Sequence, residues 1–237
     1  MNLFADALTW LGDPSHWSGR TGIAQRAAQH LGVTAGALAI AATLALPTGI
    51  LVGHTRRGRS LVVAISGAAR AVPTLGLLTL AALALGIGLQ APVLALVVLA
   101  VPSLLAGAYA GVESVDPVTV DAARAVGMSE FQIITRVELP LAAPVVVGGL
   151  RAATLQVVAT ATLAAYVSDT GLGRYLFTGL RSRDYPQMLA GALLVAALAL
   201  LLEAVLARLQ QLATRATTST PRHGAPARLA ASLEGHA

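Results

Sequence analysis

Five apolar stretches, each about as long as a bilayer is thick, constrain this chain more than any other feature of its sequence. They cover residues 33–53, 61–85, 91–111, 141–167 and 187–207. A helix needs about 20 apolar residues to cross the hydrocarbon core. Charged residues make up only 11% of the 237-residue chain, whereas soluble domains carry about 25%. We therefore predict an all-α membrane protein, with about five transmembrane helices in one membrane domain at residues 33–207.

Prolines and polar stretches mark the limits of these spans. Pro73 and Pro102 are expected to kink their helices rather than break them, because neighbouring helices can satisfy the freed backbone groups. Residues 1–32 are predicted to form an extracytoplasmic segment, in which residues 20–31 lie as a short interfacial helix. Residues 208–237 are polar and show no apolar period, so most of this tail is predicted to be disordered.

The arginines indicate an orientation, because cytoplasmic loops carry an excess of positive charge. The chain has 16 arginines, no lysine and a formal net charge of +5. With the N-terminus outside, nine arginines fall on the cytoplasmic side and five outside. We therefore predict an extracytoplasmic N-terminus, a cytoplasmic C-terminus and a cytoplasmic loop at residues 112–140. The arginines are scattered over loops and tail, so topology explains them better than a nucleic-acid partner does.

The first half of the loop at residues 112–140 carries the start and stop signals of a short helix. Asp116 is a good N-cap, and Pro117 suits the first helical position. Gly127 suits a left-handed stop. These signals predict a helix over residues 117–126.

The second half of the loop predicts another helix. Ser129 with Gln132 three residues later indicates a capping box, and Pro140 marks the predicted end. Each helix carries an apolar stripe, which consists of Val118, Ala122 and Ala125 in the first and Phe131, Ile134 and Val137 in the second. Such stripes lie on the membrane surface, on the chain's own spans, or on a docking partner.

This loop resembles the EAA loop of ABC importer permeases. That pattern reads Glu-Ala-Ala, three residues, Gly, nine residues, Ile, one residue and Leu-Pro. It is matched here by Asp121, Ala122, Ala123, Gly127, Val137, Leu139 and Pro140, with Asp for Glu and Val for Ile. The resemblance implies that residues 112–140, which we call the EAA segment, are the coupling loop that sits in a groove of a separate ATP-binding subunit.

Other stretches narrow the resemblance to one group. Three stretches are similar to permeases for osmoprotectants such as glycine betaine, choline, carnitine or proline. They read RAVPTLGLLTL, GLRAATLQVVATATLAAYV and GLGRYLFTGL. The resemblance implies a type I transmembrane domain like that of methionine permeases, in the bacterial cytoplasmic membrane. It also implies an ATP-binding subunit, an extracytoplasmic solute-binding protein and a second, identical or paralogous permease subunit. Methionine or another small polar solute is the alternative cargo.

The sequence predicts neither a catalytic site nor a metal or cofactor site. A phosphate-cradling ATPase loop needs a lysine, so we expect ATP to be hydrolysed by another polypeptide. The five histidines fall in loops and termini without ligand spacing, and cysteine is absent. Solvated or interfacial roles are therefore expected for the histidines.

Four residues are candidates for the translocation path: Arg70, Pro73, Tyr166 and Asp169. Arg70 stands where the osmoprotectant group leads us to expect glutamine, and it is either a path residue or an arginine that reaches back to the interface. Tyr166 and Asp169 either line the mouth at which a binding protein delivers solute or belong to an ordinary interfacial loop. Arg151 lies near the start of its span, and we expect it to reach the headgroups.

Two other classes of protein remain as alternatives. A passive channel would carry solute without ATP or partners, and a membrane scaffold would carry none; neither explains the EAA spacing. Aromatic residues make up only 4% of the chain, and a quaternary ammonium is usually held by aromatic rings. We therefore expect tight solute capture to belong to the binding protein and low-affinity passage to the permease.

Overall fold

The computed structural model describes residues 2–218, except for the side chains of Arg70 and of residues 216–218. This part of the chain is helical and contains no strand. Its helices are α1 (Leu3–Gly12), α2 (Ile23–Thr55), α3 (Arg59–Ala71), α4 (Thr74–Leu85), α5 (Gln90–Glu113), α6 (Pro117–Ala125), α7 (Glu130–Ile133), α8 (Leu139–Ala161), α9 (Ala164–Val167), α10 (Gly173–Ser182) and α11 (Tyr185–Thr218). A 3-10 turn, Pro14–His16, follows α1, and a π-helical stretch, Ile134–Glu138, joins α7 to α8.

Four helical stretches in the described part are long and apolar enough to cross a membrane on their own. They are α2, α5, α11 and the continuous stretch Glu130–Val167, which contains α8. Helices α3 and α4 make a fifth span if they are taken as one broken helix. The all-α architecture with about five spans is therefore confirmed.

The second span is broken rather than kinked. Helices α3 and α4 meet at 84°, and the backbone of Val72 and Pro73 between them is extended. Proline disfavours the helical conformation of the residue before it, and here the helix ends instead of bending. Pro102, in contrast, stays inside α5 as predicted.

Two predicted boundaries differ from the structure. Helix α2 begins at Ile23 and runs on without interruption, so residues 20–31 do not form a separate interfacial helix. The reason is that Arg26, His30 and Thr34, one turn apart, are all buried. Helix α11 extends to Thr218, past residue 208, where the disordered tail was expected to begin. The rest of the predicted tail, residues 219–237, lies outside the described residues.

Small residues let the central helices α2, α5 and α8 approach one another closely. A Cβ on Gly107 of α5 would lie 2.6 Å from the Cα of Gly149 in α8, and a Cβ on Gly49 of α2 would lie 2.7 Å from the Cβ of Ala108. Close backbone approach through glycine and alanine is the usual way in which membrane helices pack. These three helices form the closely packed centre of the bundle.

The two ends of the bundle are covered differently. The EAA segment lies at one end, which we call the EAA end. At the opposite end, α1 and the 3-10 turn form an N-terminal hairpin, residues 3–17, that packs against α11. The backbone N–H of Ser15 donates to the Asp13 carboxylate at 2.9 Å and lowers the pKa of Asp13 below its ordinary value. The sequence did not predict this hairpin.

Candidate functional site

The first EAA helix, α6, forms where its local signals predict. The Asp116 carboxylate accepts a hydrogen bond from the N–H of Val118 at 2.9 Å, with Pro117 in the first turn. Gly127 ends the helix with a φ of +85°. The N–H of Met128 then donates to the carbonyl of Ala123 at 3.1 Å. This left-handed glycine turns the chain sharply towards α7.

The second EAA helix also starts as predicted but does not end where the sequence indicated. The Ser129 N–H donates to the Gln132 side chain at 2.9 Å, and the Gln132 N–H donates to the Ser129 hydroxyl at 3.4 Å, which completes the capping box. The chain then continues through the π-helical stretch into α8. Pro140 lies in the first residues of α8, directly after the π-helical stretch. The helical stretch Glu130–Val167 therefore continues through this proline instead of ending at it.

The two EAA helices have one face turned into the protein and one face turned out. Val120, Ala123 and Ile133 are buried in a cluster with Val112, Val115 and Ala142. On the outer face the side chains stay uncovered by this chain, with exposures of 72% for Val118, 78% for Val126 and 75% for Phe131. Packing on the chain's own spans and an open apolar face therefore occur together, on opposite sides of the same helices.

A chain of charged side chains ties the EAA segment to α2. Arg124 of α6 donates to Asp121 at 3.1 Å and to Glu130 of α7 at 2.9 Å. The hydrogen bond to Glu130 raises the pKa of the Arg124 guanidinium above its ordinary value. Glu130 lies 3.1 Å from Nε2 of His54, and Nδ1 of His54 lies 2.7 Å from Glu138 in the π-helical stretch. Neither the role of His54 nor that of Glu138 was predicted from the sequence.

The residues that match the EAA pattern occupy different environments. Asp121 and Ala122 are exposed, Ala123 is buried, and Gly127 supplies the turn. Val137 packs against the buried cluster of the EAA segment. Leu139 and Pro140 begin α8. The structure thus gathers the pattern into one region that connects an exposed helix to a span.

The expectation that the histidines are solvated or interfacial is wrong for two of them. His30 is buried in α2, and its Nε2 lies 3.0 Å from the carbonyl oxygen of Val158. The side chain of His54 is only 8% exposed. In the sequence, both lie near the ends of the first predicted span. In the structure, both belong to α2, where His30 contacts α8 and His54 contacts the π-helical stretch.

At the opposite end, Asp169 is the centre of a second charged group. Arg26 of α2 donates to the Asp169 carboxylate at 3.0 Å and also to the Asp169 backbone carbonyl. The Nε of Arg174 lies 2.9 Å from the same carboxylate. Tyr166 is exposed beside Phe177, and Pro73 lies at the break of the second span. The side chain of Arg70, the fourth candidate for the path, is outside the described part.

A cavity of about 350 Å³ opens beside Asp169, with Arg26, Arg174 and aromatic rings in its wall. Trp10 stacks on His16 at a ring distance of 3.9 Å and meets Tyr175 edge-on at 5.3 Å. Burial raises the pKa of Tyr175 above its ordinary value. The N-terminal hairpin therefore brings together aromatic residues that are far apart in the sequence.

Arg151 is paired within the protein instead of reaching out to headgroups. Its Nε donates to Glu203 of α11 at 2.8 Å, and a second nitrogen donates to Gln210 at 2.9 Å. A charge inside a span needs such a partner. The pair joins α8 to α11.

Comparison with known proteins identifies this arrangement. Residues 45–218 match the family described as the binding-protein-dependent transport system inner membrane component. The chain belongs to this family. The permease is 32% identical, over 196 residues, to the carnitine transport permease protein OpuCB of Listeria monocytogenes; the match covers 83% of this chain and 90% of that protein.

Further relatives agree with this assignment. The permease is 30% identical over 179 residues to the choline transport system permease protein OpuBB of Bacillus subtilis, which covers 76% of this chain and 82% of that protein. Among solved structures, inward-facing conformations of the MetNI methionine ABC transporter align with a TM-score of 0.69 and 25% identity, over 79% of this chain and 94% of that one. The predicted ABC importer permease fold is confirmed, and membership implies ATP-binding and solute-binding partners.

Proposed function

We propose that this permease carries osmoprotectants, such as glycine betaine, choline, carnitine or proline, into the cell as part of an ATP-driven importer. The observation that carries the proposal is the similarity, over most of the chain, to permeases named for carnitine and choline. Those two solutes share a quaternary ammonium group. Methionine, or another small polar solute, is the second candidate, and the likeness to the methionine transporter supports it.

The EAA segment is the part of the permease that meets the ATP-binding subunit. Its open apolar face, formed by Val118, Val126 and Phe131, has the character of a docking surface, because exposed apolar patches mark interaction sites and aromatic residues such as Phe131 are enriched at interfaces. The inner face packs on the spans, so a movement of the docked subunit is passed inward. The residues that serve this coupling are Asp121, Ala122, Ala123, Gly127, Val137, Leu139 and Pro140.

The orientation follows from the arginines and the coupling role together. The EAA end faces the cytoplasm, where ATP is available, and the N-terminus lies outside the bacterial cytoplasmic membrane. A second permease subunit, identical or paralogous, completes the path. Four residues remain candidates for that path: Arg70 and Pro73 within the second span, and Tyr166 and Asp169 near the end where a binding protein delivers solute.

Reconstitution of the complex tests the proposed function. The tagged permease is purified from its native membrane in mild detergent, its co-purifying chains are identified by mass spectrometry, and the complex is placed in liposomes. We expect ATP-dependent uptake of labelled glycine betaine, choline or carnitine, with methionine as the comparison. Preferential methionine uptake would favour the second candidate. Uptake without ATP, or a permease recovered alone from several detergents, would overturn the importer.

A further inference from the structure

His54, the second-last residue of α2, holds two carboxylates of the EAA segment at once. We propose that His54 is a positioning residue for transport: it fixes the EAA segment to α2, so that movement of the docked ATP-binding subunit displaces this span. The inference rests on the proposed coupling role of the EAA segment and assigns that movement to one side chain.

The geometry of the contact suits a clamp. Nδ1 of His54 lies 2.7 Å from Oε2 of Glu138, and Nε2 lies 3.1 Å from Oε2 of Glu130. Each ring nitrogen of His54 therefore faces a carboxylate oxygen, and an imidazole can hydrogen-bond through both of its nitrogens. The ring therefore joins three elements: α2, the start of α7 and the π-helical stretch.

Burial makes one arm of the clamp rigid. The side chains of His54 and Glu138 are only 8% and 4% exposed. In the described part of the chain, His54 is the one side chain that bonds Glu138. A buried carboxylate is costly without a hydrogen-bonded partner, so the π-helical stretch is held against α2. π-helical turns inside α-helices often mark functional sites.

The other arm of the clamp reaches the exposed helix. Glu130 is shared between His54 and Arg124. The Nε and Nη2 of Arg124 donate to the Glu130 carboxylate at 2.9 and 3.1 Å. Arg124 in turn donates to Asp121 on α6. A displacement of α6 can therefore reach α2 through charged contacts alone, in addition to the apolar contacts of the buried face.

Helix α2 is suited to receive such a displacement. It continues from His54 to Ile23 as one helix, and it is pressed against α5 at Gly53, where a Cβ would lie 2.8 Å from the carbonyl oxygen of Tyr109. Cores packed this closely move as units instead of deforming. Movement at His54 is thus passed to α2 and α5 together.

The test compares variants in the reconstituted importer. His54→Leu removes both arms of the clamp, and Glu130→Gln weakens the exposed arm without leaving a buried carboxylate unpaired. The matched control is Thr55→Ala, one residue along, whose hydroxyl donates to the Leu51 carbonyl of its own helix. The measured quantities are binding of the ATP-binding subunit, ATP hydrolysis, and solute carried per ATP hydrolysed.

We expect His54→Leu to bind the ATP-binding subunit and hydrolyse ATP, but to carry about tenfold less solute per ATP, a typical size for coupling between distant sites. Glu130→Gln should show a smaller loss, and Thr55→Ala none. If both variants carry as much solute per ATP as Thr55→Ala, or if His54→Leu loses the ATP-binding subunit, the proposal is wrong. If His54→Leu does not accumulate in the membrane, Glu130→Gln decides. A wild-type complex without ATP-driven uptake would instead overturn the proposed function itself.

Discussion

Both ends of α2 are held by charged side chains, but the two ends are built in opposite ways. At the EAA end, His54 bonds Glu130 and Glu138, and the contacts lead outward to a helix with an open apolar face. At the opposite end, Arg26 bonds Asp169. Both residues line a cavity, and stacked rings of the N-terminal hairpin form part of its wall. We infer that the EAA end is arranged to pass movement to a partner, whereas at the opposite end the charged group is joined to other residues of the chain itself.

The largest difference between the two ends is expected when the turn between α6 and α7 is changed. Gly127 has a φ of +85°, and nothing lies within 4 Å of the place a Cβ would occupy. In Gly127→Val the side chain meets no clash, but a β-branched residue is strained at this φ, by about 1–3 kcal/mol. The turn must change, and α6 must reorient. We expect uptake to be lost while the amount of permease in the membrane stays normal.

The matched control for this variant lies at the opposite end. Gly19 has a φ of +86° and equally open surroundings, so Gly19→Val applies a similar strain away from the EAA segment. We expect it to retain uptake. Normal uptake by Gly127→Val, or equal loss in both variants at normal insertion, would show that the two ends do not differ as described.

Removing an exposed ring should have the next largest effect. Phe131 at the EAA end and Phe4 at the opposite end are both exposed, at 75% and 63%. Truncation of an aromatic anchor in an interface often costs more than about 2 kcal/mol. We expect Phe131→Ala to weaken binding of the ATP-binding subunit by at least about tenfold, measured with purified components, and Phe4→Ala to leave it unchanged. Equal affinities of the two variants would contradict a docking role for this face.

A smaller effect is expected from Asp169, because it is exposed and one of its contacts is made by the backbone. Asp169→Asn keeps the backbone carbonyl that Arg26 also bonds and a side-chain oxygen that can accept a hydrogen bond, but it removes the charge between Arg174 and the buried Arg26. We therefore expect the free energy of unfolding to fall by about 1–2 kcal/mol. The two tryptophans, Trp10 and Trp17, both lie in the N-terminal hairpin, and their fluorescence can follow its thermal release. We expect slightly earlier release and unchanged solute per ATP. Altered solute affinity at unchanged stability would instead assign Asp169 to the path.

The local structure of the EAA segment could be predicted because its signals act over a few residues. A capping aspartate, a capping box and a left-handed glycine each satisfy backbone groups nearby, and tertiary packing did not override them. Pro140 misled the prediction because it was interpreted as a helix end, whereas the helical stretch Glu130–Val167 continues through it, directly after the π-helical stretch. The sequence does not show the π-helical stretch that precedes the proline.

The contacts that join the spans could not be predicted, because they link residues far apart in the chain. His54 and Glu138 are separated by 84 positions, Arg26 and Asp169 by 143, and Arg151 and Glu203 by 52. Hydropathy places each of these residues at a depth but does not name its partner. For the same reason, the start of α2 was predicted too late. Its first turns look polar in the sequence, but Arg26 and His30 are buried by partners in the loop after α9 and in α8.

The smallest expected effect restores the acid of the EAA pattern. Asp121 is exposed and pairs with Arg124 three residues later on the same helix, and such pairs contribute only about 0.2–0.5 kcal/mol. Asp121→Glu lengthens the side chain without removing the charge, and Arg124 keeps its bonds to Glu130. We therefore expect uptake within about twofold of the wild type, measured beside Gly127→Val in the same liposomes. A loss as large as that of Gly127→Val would mean that the carboxylate position governs the contact with the ATP-binding subunit as strongly as the turn does.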